Sequence, residues 1–459
     1  MTSDPLPESS AIEIYKAPAK SKFPIVGIAA SAGGLEAFTQ LLSHLPIDTG
    51  MAFVLIQHLS PDRESLLTEI LTRATPMLVS QAQNGMVVEP NRVYVIPPNT
   101  KMVLEEGVLQ LSPREKVFGK YMPGDAFLTS LAADRGNLAI AVVLSGGDGD
   151  GDLGLAAIKA VGGVTFAQCE DTARFDSMPT SAIATGNVDF VLSPEQIAAE
   201  LVQLSRNPLL IRPQPLVATN ERGTLEPQTA LMTIFALLKS STGVDFSHYK
   251  PKTLDRRIQR RMLVCKLQQL ADYAAYLQAH PAEVKALYEE ILIHVTSFFR
   301  DPRAFELLKT KVFPTIAQNK SAEFPIRIWV AGCSTGEEVY SIAMCLLEFL
   351  SEQATQASIQ IFATDISELA IEKARAGIYP EDRLVNVSPE RRHRFFYPIK
   401  GGYHISKAVR ELCVFARQDL SSDPPFSNVD LISCRNVMIY LGDVLQQRIM
   451  PIFHYSLNA

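Results

Sequence analysis

The sequence predicts an α/β protein in which two parallel-sheet domains flank a small all-helical one. Residues 22–205 and 303–459 alternate short β-branched runs with helical runs, which is the pattern of β-α-β units in a doubly wound parallel sheet. Residues 228–302 contain helical runs and no strand-like run. The length of 459 residues agrees with this division, because a domain takes roughly 150 residues.

Each strand-like run of the first α/β region precedes a helical one. The pairs are PIVGIAAS with LEAFTQLLSHL, AFVLIQH with RESLLTEILTRA, LAIAVVLSG with LGLAAIKAV, and DFVLS with EQIAAELVQL. Residues 1–21 are rich in Ser, Pro and Glu, lack an apolar period and predict a disordered tail. Residues 206–227 carry four prolines and no period, which predicts a linker.

The second α/β region follows the helical runs ALMTIFALLKS, TLDRRIQRRMLVCKL, LADYAAYLQAH and EVKALYEEILIHV. Its strand-like runs are IRIWVAGC, IQIFATD, CVFARQD and VDLISCR. After the last of these runs only one helical run precedes Ala459.

Composition excludes several classes of protein. The 43 Lys and Arg against 49 Asp and Glu give a net charge of −6 without long runs of one sign, which argues against nucleic acid as a partner. The longest clean apolar run, residues 138–144, falls short of the ~20 residues that span a bilayer, and the N-terminus lacks a secretory signal. The six cysteines show no paired spacing, so no disulfide or metal site is predicted. We expect a cytoplasmic protein without membrane insertion.

Three side chains lie where an open parallel sheet places its chemistry, beyond the carboxyl ends of the strands. Ser31 follows the first strand-like run, His58 ends the second, and Asp150 lies in the glycine-rich loop SGGDGDGDLG. A serine nucleophile, a histidine base and an orienting carboxylate are the parts of an acyl-transfer triad. Taken singly, the serine also fits a cap or turn residue, and the histidine a satisfied strand-end residue.

Two other interpretations of these loops fail on spacing. The segment GIAASAGG lacks the GxGxxG pattern of a dinucleotide loop. The acidic loop, framed as an EF-hand from Asp148, has Leu153 where the glycine belongs and Lys159 where the glutamate belongs.

Five motifs in order, GIAASAGG, IQHLS, VYVIPPNT, LSGGDGDG and SMPTSAI, resemble the catalytic domain of the CheB-type chemotaxis receptor methylesterases over residues 22–205. The resemblance implies hydrolysis of γ-glutamyl methyl esters on receptor helices, with Ser31 as nucleophile, His58 as base and Asp150 as the orienting acid. Ala32 and Gly147 stand where the family usually has threonine and methionine. A non-catalytic signalling scaffold that keeps its folds for receptor binding is therefore the alternative hypothesis.

A second group of candidate residues follows the strand-like run RIWVAGC. A glycine turn leads into a helix that opens with Glu337 and Glu338, and Asp365 ends the next strand-like run. An acid at that place accepts hydrogen bonds from ribose hydroxyls. The two glutamates would repel the phosphates of a dinucleotide and attract the cationic sulfonium and ammonium of S-adenosylmethionine. Equally, exposed glutamates in a first helical turn are stabilised by the helix dipole.

Six further motifs, HVTSFFRD, WVAGCSTGEEVYSIA, FATDIS, EKARAGIY, RQDL and CRNVMIY, resemble the CheR-type chemotaxis receptor glutamate O-methyltransferases from about residue 228 to the end. The resemblance implies a Rossmann-like S-adenosylmethionine-dependent domain, with a methyl-accepting chemoreceptor as partner and response regulators or histidine kinases as further candidates. His294 and Asp419 stand where asparagine is usual or frequent. The implied cofactor site comprises Thr296, Arg300, Glu338, Asp365, Asp419, Leu420, Arg435 and Asn436.

The resemblance further implies a C-terminally truncated domain with an open sheet, because methyltransferases of this type close the sheet with strands beyond CRNVMIY. Unpaired strand groups would make this half less stable, so two thermal unfolding transitions are expected.

The resemblance also implies a substrate site. Tyr440 would lie near the transferred methyl group. A basic helix is expected either to expose a solvated face or to contact an acidic receptor helix. Its arginines are Arg256, Arg257, Arg260 and Arg261.

Overall fold

The structure is a computed structural model that describes residues 23–57, 66–114, 121–147, 149–211, 225–292, 296–318, 320–321, 324–353 and 357–458. The predicted tail, most of the predicted linker and His58 lie outside these ranges. Among the helices of the described ranges, none combines the length and the apolar character needed to cross a membrane.

The first α/β region forms one large parallel sheet and one small antiparallel sheet. The strands are β1 (Ile25–Ala30), β2 (Ala52–Gln57), β3 (Leu78–Gln81), β4 (Met86–Val87), β5 (Arg92–Val95), β6 (Thr100–Glu105), β7 (Val108–Pro113), β8 (Ala139–Val143), β9 (Val164–Gln168) and β10 (Phe190–Leu192). The helices are α1 (Gly34–Ser43), α2 (Leu67–Ala74), α3 (Pro123–Arg135), α4 (Asp152–Ala160), α5 (Ser177–Ala184), α6 (Pro194–Ser205) and α7 (Pro208–Ile211). The large sheet has the order β10-β9-β8-β1-β2-β5-β3.

The central strands of this sheet are buried on both faces, as their continuous apolar sequence requires. Val26 and Ile28 of β1 point into one hydrophobic cluster, and Ile25 and Ala29 point into the other. The predicted doubly wound sheet is confirmed. The antiparallel sheet β4-β7-β6 was not predicted, and helix α7 begins inside the segment predicted as a linker, where Leu210 packs into the core.

The helical region packs four helices around its own apolar cluster. They are α8 (Leu225–Thr242), α9 (Pro251–Val264), α10 (Leu270–Ala279) and α11 (Pro281–Ile291). Leu254, Ile258 and Met262 form the buried stripe of α9, as its period predicts.

The second α/β region has a parallel sheet of order β16-β12-β11-β17 and a small antiparallel sheet of order β13-β15-β14. The strands are β11 (Ile326–Ala331), β12 (Ile359–Asp365), β13 (Ile378–Tyr379), β14 (Phe396–Ile399), β15 (Gly402–Ile405), β16 (Cys413–Arg417) and β17 (Leu431–Ser433). The helices are α12 (Pro302–Leu307), α13 (Phe313–Ile316), α14 (Glu337–Glu352), α15 (Glu368–Ala376), α16 (Pro389–Phe395), α17 (Lys407–Arg410) and α18 (Asp443–Ser456). All four predicted strands are present, and Leu457 makes a parallel bridge with Val429 just before β17.

Two of the four arginines of α9, Arg257 and Arg260, are covered by the first α/β region, which corrects the prediction that they form a solvated or receptor-binding face. Arg260 is 1% exposed, and its guanidinium donates to both carboxylate oxygens of Asp189 at 2.7 and 2.6 Å and to Glu290. Arg257 is 4% exposed and donates to Glu290 at 3.0 Å. These two arginines therefore hold two domains together and are not available to a receptor in this arrangement.

Arg261 and Arg256 differ from the two buried arginines. Arg261 makes a two-point ion pair with Glu283 at 2.9 and 2.6 Å, so its charge is neutralised within the helical region. Arg256 is exposed and remains a candidate substrate contact.

Arg260→Ala is expected to destabilise the chain by about 3–5 kcal/mol, because it leaves Asp189 and Glu290 as buried carboxylates without their cation. Thermal unfolding measures this, with Lys252→Ala, an exposed residue of the same helix, as the control. Because this ion-pair cluster joins the two halves, its loss should also widen the gap between the two expected unfolding transitions. An unchanged unfolding curve would show that the cluster contributes nothing to the joint.

Candidate active sites

Ser31 lies at the turn between β1 and α1, where the sequence places it. Its backbone N–H donates to the carbonyl oxygen of Ser145 at 3.0 Å, and its own carbonyl accepts from the N–H of Gly34 at 3.0 Å. Gly33, at the helix cap, has a φ of 77°, a conformation that side-chain-bearing residues rarely adopt. The turn thus holds a half-buried serine beside the N-terminus of α1, which favours developing negative charge.

Ser145 anchors this turn, and sequence reasoning missed it. Its buried hydroxyl donates to the carbonyl oxygen of Ala32 at 2.9 Å and accepts from the N–H of Phe175 at 3.0 Å. Neighbouring Gly146 exchanges backbone bonds with residues 175–178 and approaches Ser31 so closely that an added Cβ would lie 3.1 Å from the Ser31 Cβ. The motifs SGG and SMPTSAI therefore pack directly against the serine turn.

Asp150 is 3% exposed and lies at the N-terminus of α3. Its carboxylate accepts from the backbone N–H groups of Gly124 at 2.8 Å and Asp125 at 2.9 Å. Asp125 in turn accepts from the N–H groups of Gly151 at 3.0 Å and Gly154 at 2.9 Å, at the start of α4. The Asp150 carboxylate thus caps the N-terminus of α3, which contains Asp125, and the Asp125 carboxylate caps the N-terminus of α4, which follows Asp150. The N–H dipoles at these helix ends stabilise both negative charges. Because His58 lies outside the described residues, the three-residue geometry stays a prediction.

Asp365 lies at the carboxyl end of β12, beside the turn that follows β11. Its carboxylate oxygens accept from the backbone N–H groups of Ser334 at 2.8 Å and Ser367 at 3.0 Å. Each carboxylate oxygen has two lone pairs, so both can also accept from a ligand. Ser334 itself has a φ of 49°, a strained conformation of the kind that clusters at ligand sites.

Glu338 and Glu337 have different roles. Glu338 lines the pocket beside Asp365, accepts from the Ser433 hydroxyl at 2.6 Å and pairs with Arg435 at 3.2 Å. Glu337 is 1% exposed and accepts from the Thr335 hydroxyl at 2.6 Å, and burial raises the pKa of its carboxyl group. Only Glu338 can therefore attract a cationic ligand in the way that the sequence suggested for both.

One pocket brings together every residue that the sequence assigned to the cofactor site, as well as Tyr440. Those residues come from the loop before α12, from α14, and from the ends of β12, β16 and β17. The pocket residues in question are Thr296, Arg300, Glu338, Asp365, Asp419, Leu420, Arg435, Asn436 and Tyr440.

Residues that sequence reasoning missed complete the pocket. Tyr249 and Thr253 close one side from the helical region, and no local pattern marks them. The contact is fixed by backbone bonds, since Lys250 donates to the Tyr440 carbonyl oxygen at 2.9 Å and Gly442 donates to that of His248 at 2.9 Å. Within the described residues, the buried Ser334 Oγ and Gln418 Oε1 have no hydrogen-bond partner, and both residues line the pocket. Unpaired buried polar atoms in a cavity are typical of a ligand site.

Comparisons with known proteins follow the same division of the chain. Residues 26–201 match the family described as CheB methylesterase, residues 229–292 match the all-alpha domain of CheR methyltransferase, and residues 294–459 match its SAM binding domain. A chemotaxis protein methyltransferase of Vibrio parahaemolyticus is 34% identical over 227 residues, which cover 48% of this chain and 82% of that protein. The chain belongs to the CheR methyltransferase family. It carries a CheB methylesterase domain ahead of the two CheR domains.

A longer protein and a solved structure are also similar to parts of this chain. An uncharacterised 104.1 kDa protein of Rhodobacter capsulatus is 39% identical over 409 residues, which cover 86% of this chain and 43% of that protein. The chain thus spans less than half the length of this relative. The crystal structure of the Thermotoga maritima CheB methylesterase catalytic domain is 28% identical, covers 40% of this chain and 99% of that one, and has a TM-score of 0.38.

The cofactor of the CheR SAM binding domain is S-adenosylmethionine, and the pocket suits it. Across the sheet edge the polar groups run from Gln418 after β16, through Asp365 after β12, to Glu338 and Arg435 beside β17. An amide acceptor, the strand-end carboxylate and a second carboxylate paired with an arginine thus follow one another along this edge. Among the described residues no cluster suits a metal ion.

Two cysteines near the pocket are kept as thiols. Burial raises the pKa of Cys333, which lines the pocket, well above its ordinary value, and it raises the pKa of Cys434 to about 12. Because the thiolate is the nucleophilic form, neither sulfur competes for a methyl group at neutral pH.

Proposed function

We propose that this chain methylates glutamate side chains of chemoreceptors at the CheR pocket and hydrolyses the resulting methyl esters at Ser31. The observation that carries the first activity is the convergence of all eight assigned cofactor residues and Tyr440 on one pocket. Relatives described as chemotaxis protein methyltransferases support the same substrate class.

The transferase residues act mainly by alignment. Bound S-adenosylmethionine supplies an activated methyl group. A receptor glutamate with a pKa of about 4.3 is already a carboxylate at neutral pH, so the site needs no general base. Asp365, held by two backbone amides, fixes the sugar, and Glu338 offers negative charge to a cationic group. Arg435 holds Glu338 and also donates to the Arg300 carbonyl oxygen at 2.8 Å, which orders the loop before α12.

The esterase residues follow the Ser-His-Asp scheme. Ser31 attacks the ester carbonyl, and His58 takes the hydroxyl proton and passes it to the departing methoxy oxygen, which leaves as methanol. Water, deprotonated by His58, then attacks the acylated Ser31 and releases the glutamate carboxylate and the free serine. Asp150 holds the imidazole in the required tautomer. Two features of the described residues support this assignment. Ser31 lies beside a helix N-terminus, and Asp150 is an oriented, buried carboxylate with two amide donors.

The test is mass spectrometry of a chemoreceptor signalling fragment. Incubation with the full chain and S-adenosylmethionine should add methyl masses at glutamates, and a pre-methylated fragment should lose them without cofactor. A scaffold that only binds receptors would leave both masses unchanged, and that result would reject the proposed activities.

Gln418→Leu is expected to weaken binding of S-adenosylhomocysteine by roughly three- to tenfold, because it removes a buried acceptor that the adenine amino group can satisfy. Titration calorimetry measures the change. Gln418→Glu keeps an acceptor oxygen and should lose less affinity. If both variants bind as tightly as the wild type, Gln418 does not contact the cofactor.

A further inference from the structure

The turn between α4 and β9 of the CheB domain contacts successive arginines of α9. Arg257 donates to the carbonyl oxygens of Lys159 at 2.9 Å and Ala160 at 2.6 Å. Arg260 Nε donates to the carbonyl oxygen of Gly163 at 2.8 Å. Backbone carbonyls of the esterase half therefore fix the side-chain directions of two transferase arginines.

Gly162 lies within this turn and faces a third arginine. Its φ is 81°, and an added Cβ would lie 2.7 Å from Arg256 Nε and 3.1 Å from its Cγ. The Arg256 side chain therefore passes directly over the glycine, in space that any other residue would fill. Arg256 remains exposed while Arg257 and Arg260 are buried.

The helix that carries Arg256 also borders the transferase pocket. Thr253, one helical turn earlier on α9, lines that pocket. The chain just before α9 is joined to the Tyr440 segment, because the Lys250 N–H donates to the Tyr440 carbonyl oxygen at 2.9 Å. Arg256 therefore lies on a part of α9 that is next to both the esterase turn and the Tyr440 segment.

We propose that Gly162 of the CheB domain is a positioning residue for the substrate of the CheR domain. Its missing side chain lets Arg256 lie along the turn and present its charge beside Tyr440, where it binds a carboxylate that flanks the methylated glutamate. The esterase domain thereby forms one wall of the transferase's substrate entrance. The acidic nature of the substrate rests on the proposed function, whereas the placement of Arg256 does not.

The experiment compares Gly162→Ala with Gly186→Ala in the full chain. Both glycines belong to the CheB domain and have similar φ values, 81° and 72°, but an added Cβ at Gly186 meets no atom within 4 Å. The two variants therefore carry the same backbone strain, and only Gly162→Ala displaces Arg256. The readout is fluorescence anisotropy of a labelled acidic helical peptide with an adjacent glutamate pair, with S-adenosylhomocysteine present.

Gly162→Ala should weaken peptide binding by roughly three- to tenfold, as loss of a rim charge contact does, while Gly186→Ala should not. Arg256→Ala should cause the same loss, and adding Gly162→Ala to it should cause no more. Calorimetry should show unchanged affinity for S-adenosylhomocysteine in every variant. Where methylation is measured, KM for the receptor should rise with little change in kcat.

Equal peptide affinities in the two glycine variants would overturn the proposal, as would a wild-type chain that does not bind the peptide. A wild-type chain that binds the peptide but transfers no methyl group would refute the proposed function alone, because the binding comparison would still decide the role of Gly162. If circular dichroism shows that Gly162→Ala does not fold, Gly162→Asn and Gly186→Asn are compared instead, because asparagine tolerates the left-handed conformation.

Discussion

Ser31→Ala should reduce ester hydrolysis at least about a thousandfold while leaving stability nearly unchanged. The variant removes one half-buried hydroxyl, and the backbone bonds that hold the turn, from Ser31 to Ser145 and from Gly34 to Ser31, remain. The rate of methanol release from a methylated receptor fragment measures the effect. Ser43→Ala, at the far end of α1 from Ser31, is the control.

Asp150→Asn tests the third residue of the same site. It should lower hydrolysis about a thousand- to ten-thousandfold because the imidazole loses its tautomer control. It should also lower the unfolding temperature, since the amide oxygen can accept from only one of the two N–H groups at the start of α3 and the amide NH2 group faces the other. Ester hydrolysis that persists in Ser31→Ala would rule out the proposed triad.

Asp365→Ala should weaken cofactor binding by on the order of a hundredfold, because hydrogen bonds to a charged acceptor are worth more than neutral ones. The same change frees the N–H groups of Ser334 and Ser367, so the strained turn after β11 should loosen as well. Calorimetry with S-adenosylhomocysteine measures the affinity.

Asp365→Asn is the matched variant for that measurement. It keeps one acceptor oxygen without the charge and should fall between the wild type and Asp365→Ala. Ester hydrolysis should be unaffected in both variants, because Ser31 lies at the edge of a different sheet. Unchanged cofactor affinity in Asp365→Ala would refute the ribose assignment.

The candidate sites were predictable to the extent that they depend on strand ends. Ser31, Asp365 and Asn436 follow strands that are recognisable from their own residues, and parallel strands bring their carboxyl ends to one edge. The CheB and CheR motifs identified the same positions independently. Ser145 and Gln418 escaped because their roles depend on what their side chains meet across space, which strand and helix patterns do not encode.

The basic helix shows where pattern reasoning fails. The period of α9 correctly predicts which residues, such as Leu254 and Ile258, face the helical core. It places Arg257 and Arg260 on the other side, where a charged face is usually solvated. In this chain Asp189 and the carbonyl oxygens of a turn from another domain cover that face instead.

The sequence by itself determined the α/β class, the helical region between the two sheets and the strand-end positions of the candidate residues. It also determined the resemblance to CheB and CheR proteins, because alternation and motif spacing are properties of neighbouring residues. Only the tertiary structure decided which arginines are buried at the joint between the domains, that Tyr249 closes the cofactor pocket, and that Gly162 of one domain lies beneath Arg256 of the other. These contacts join residues far apart in the chain, and their energies depend on complementary charge and shape that come together only when the domains pack.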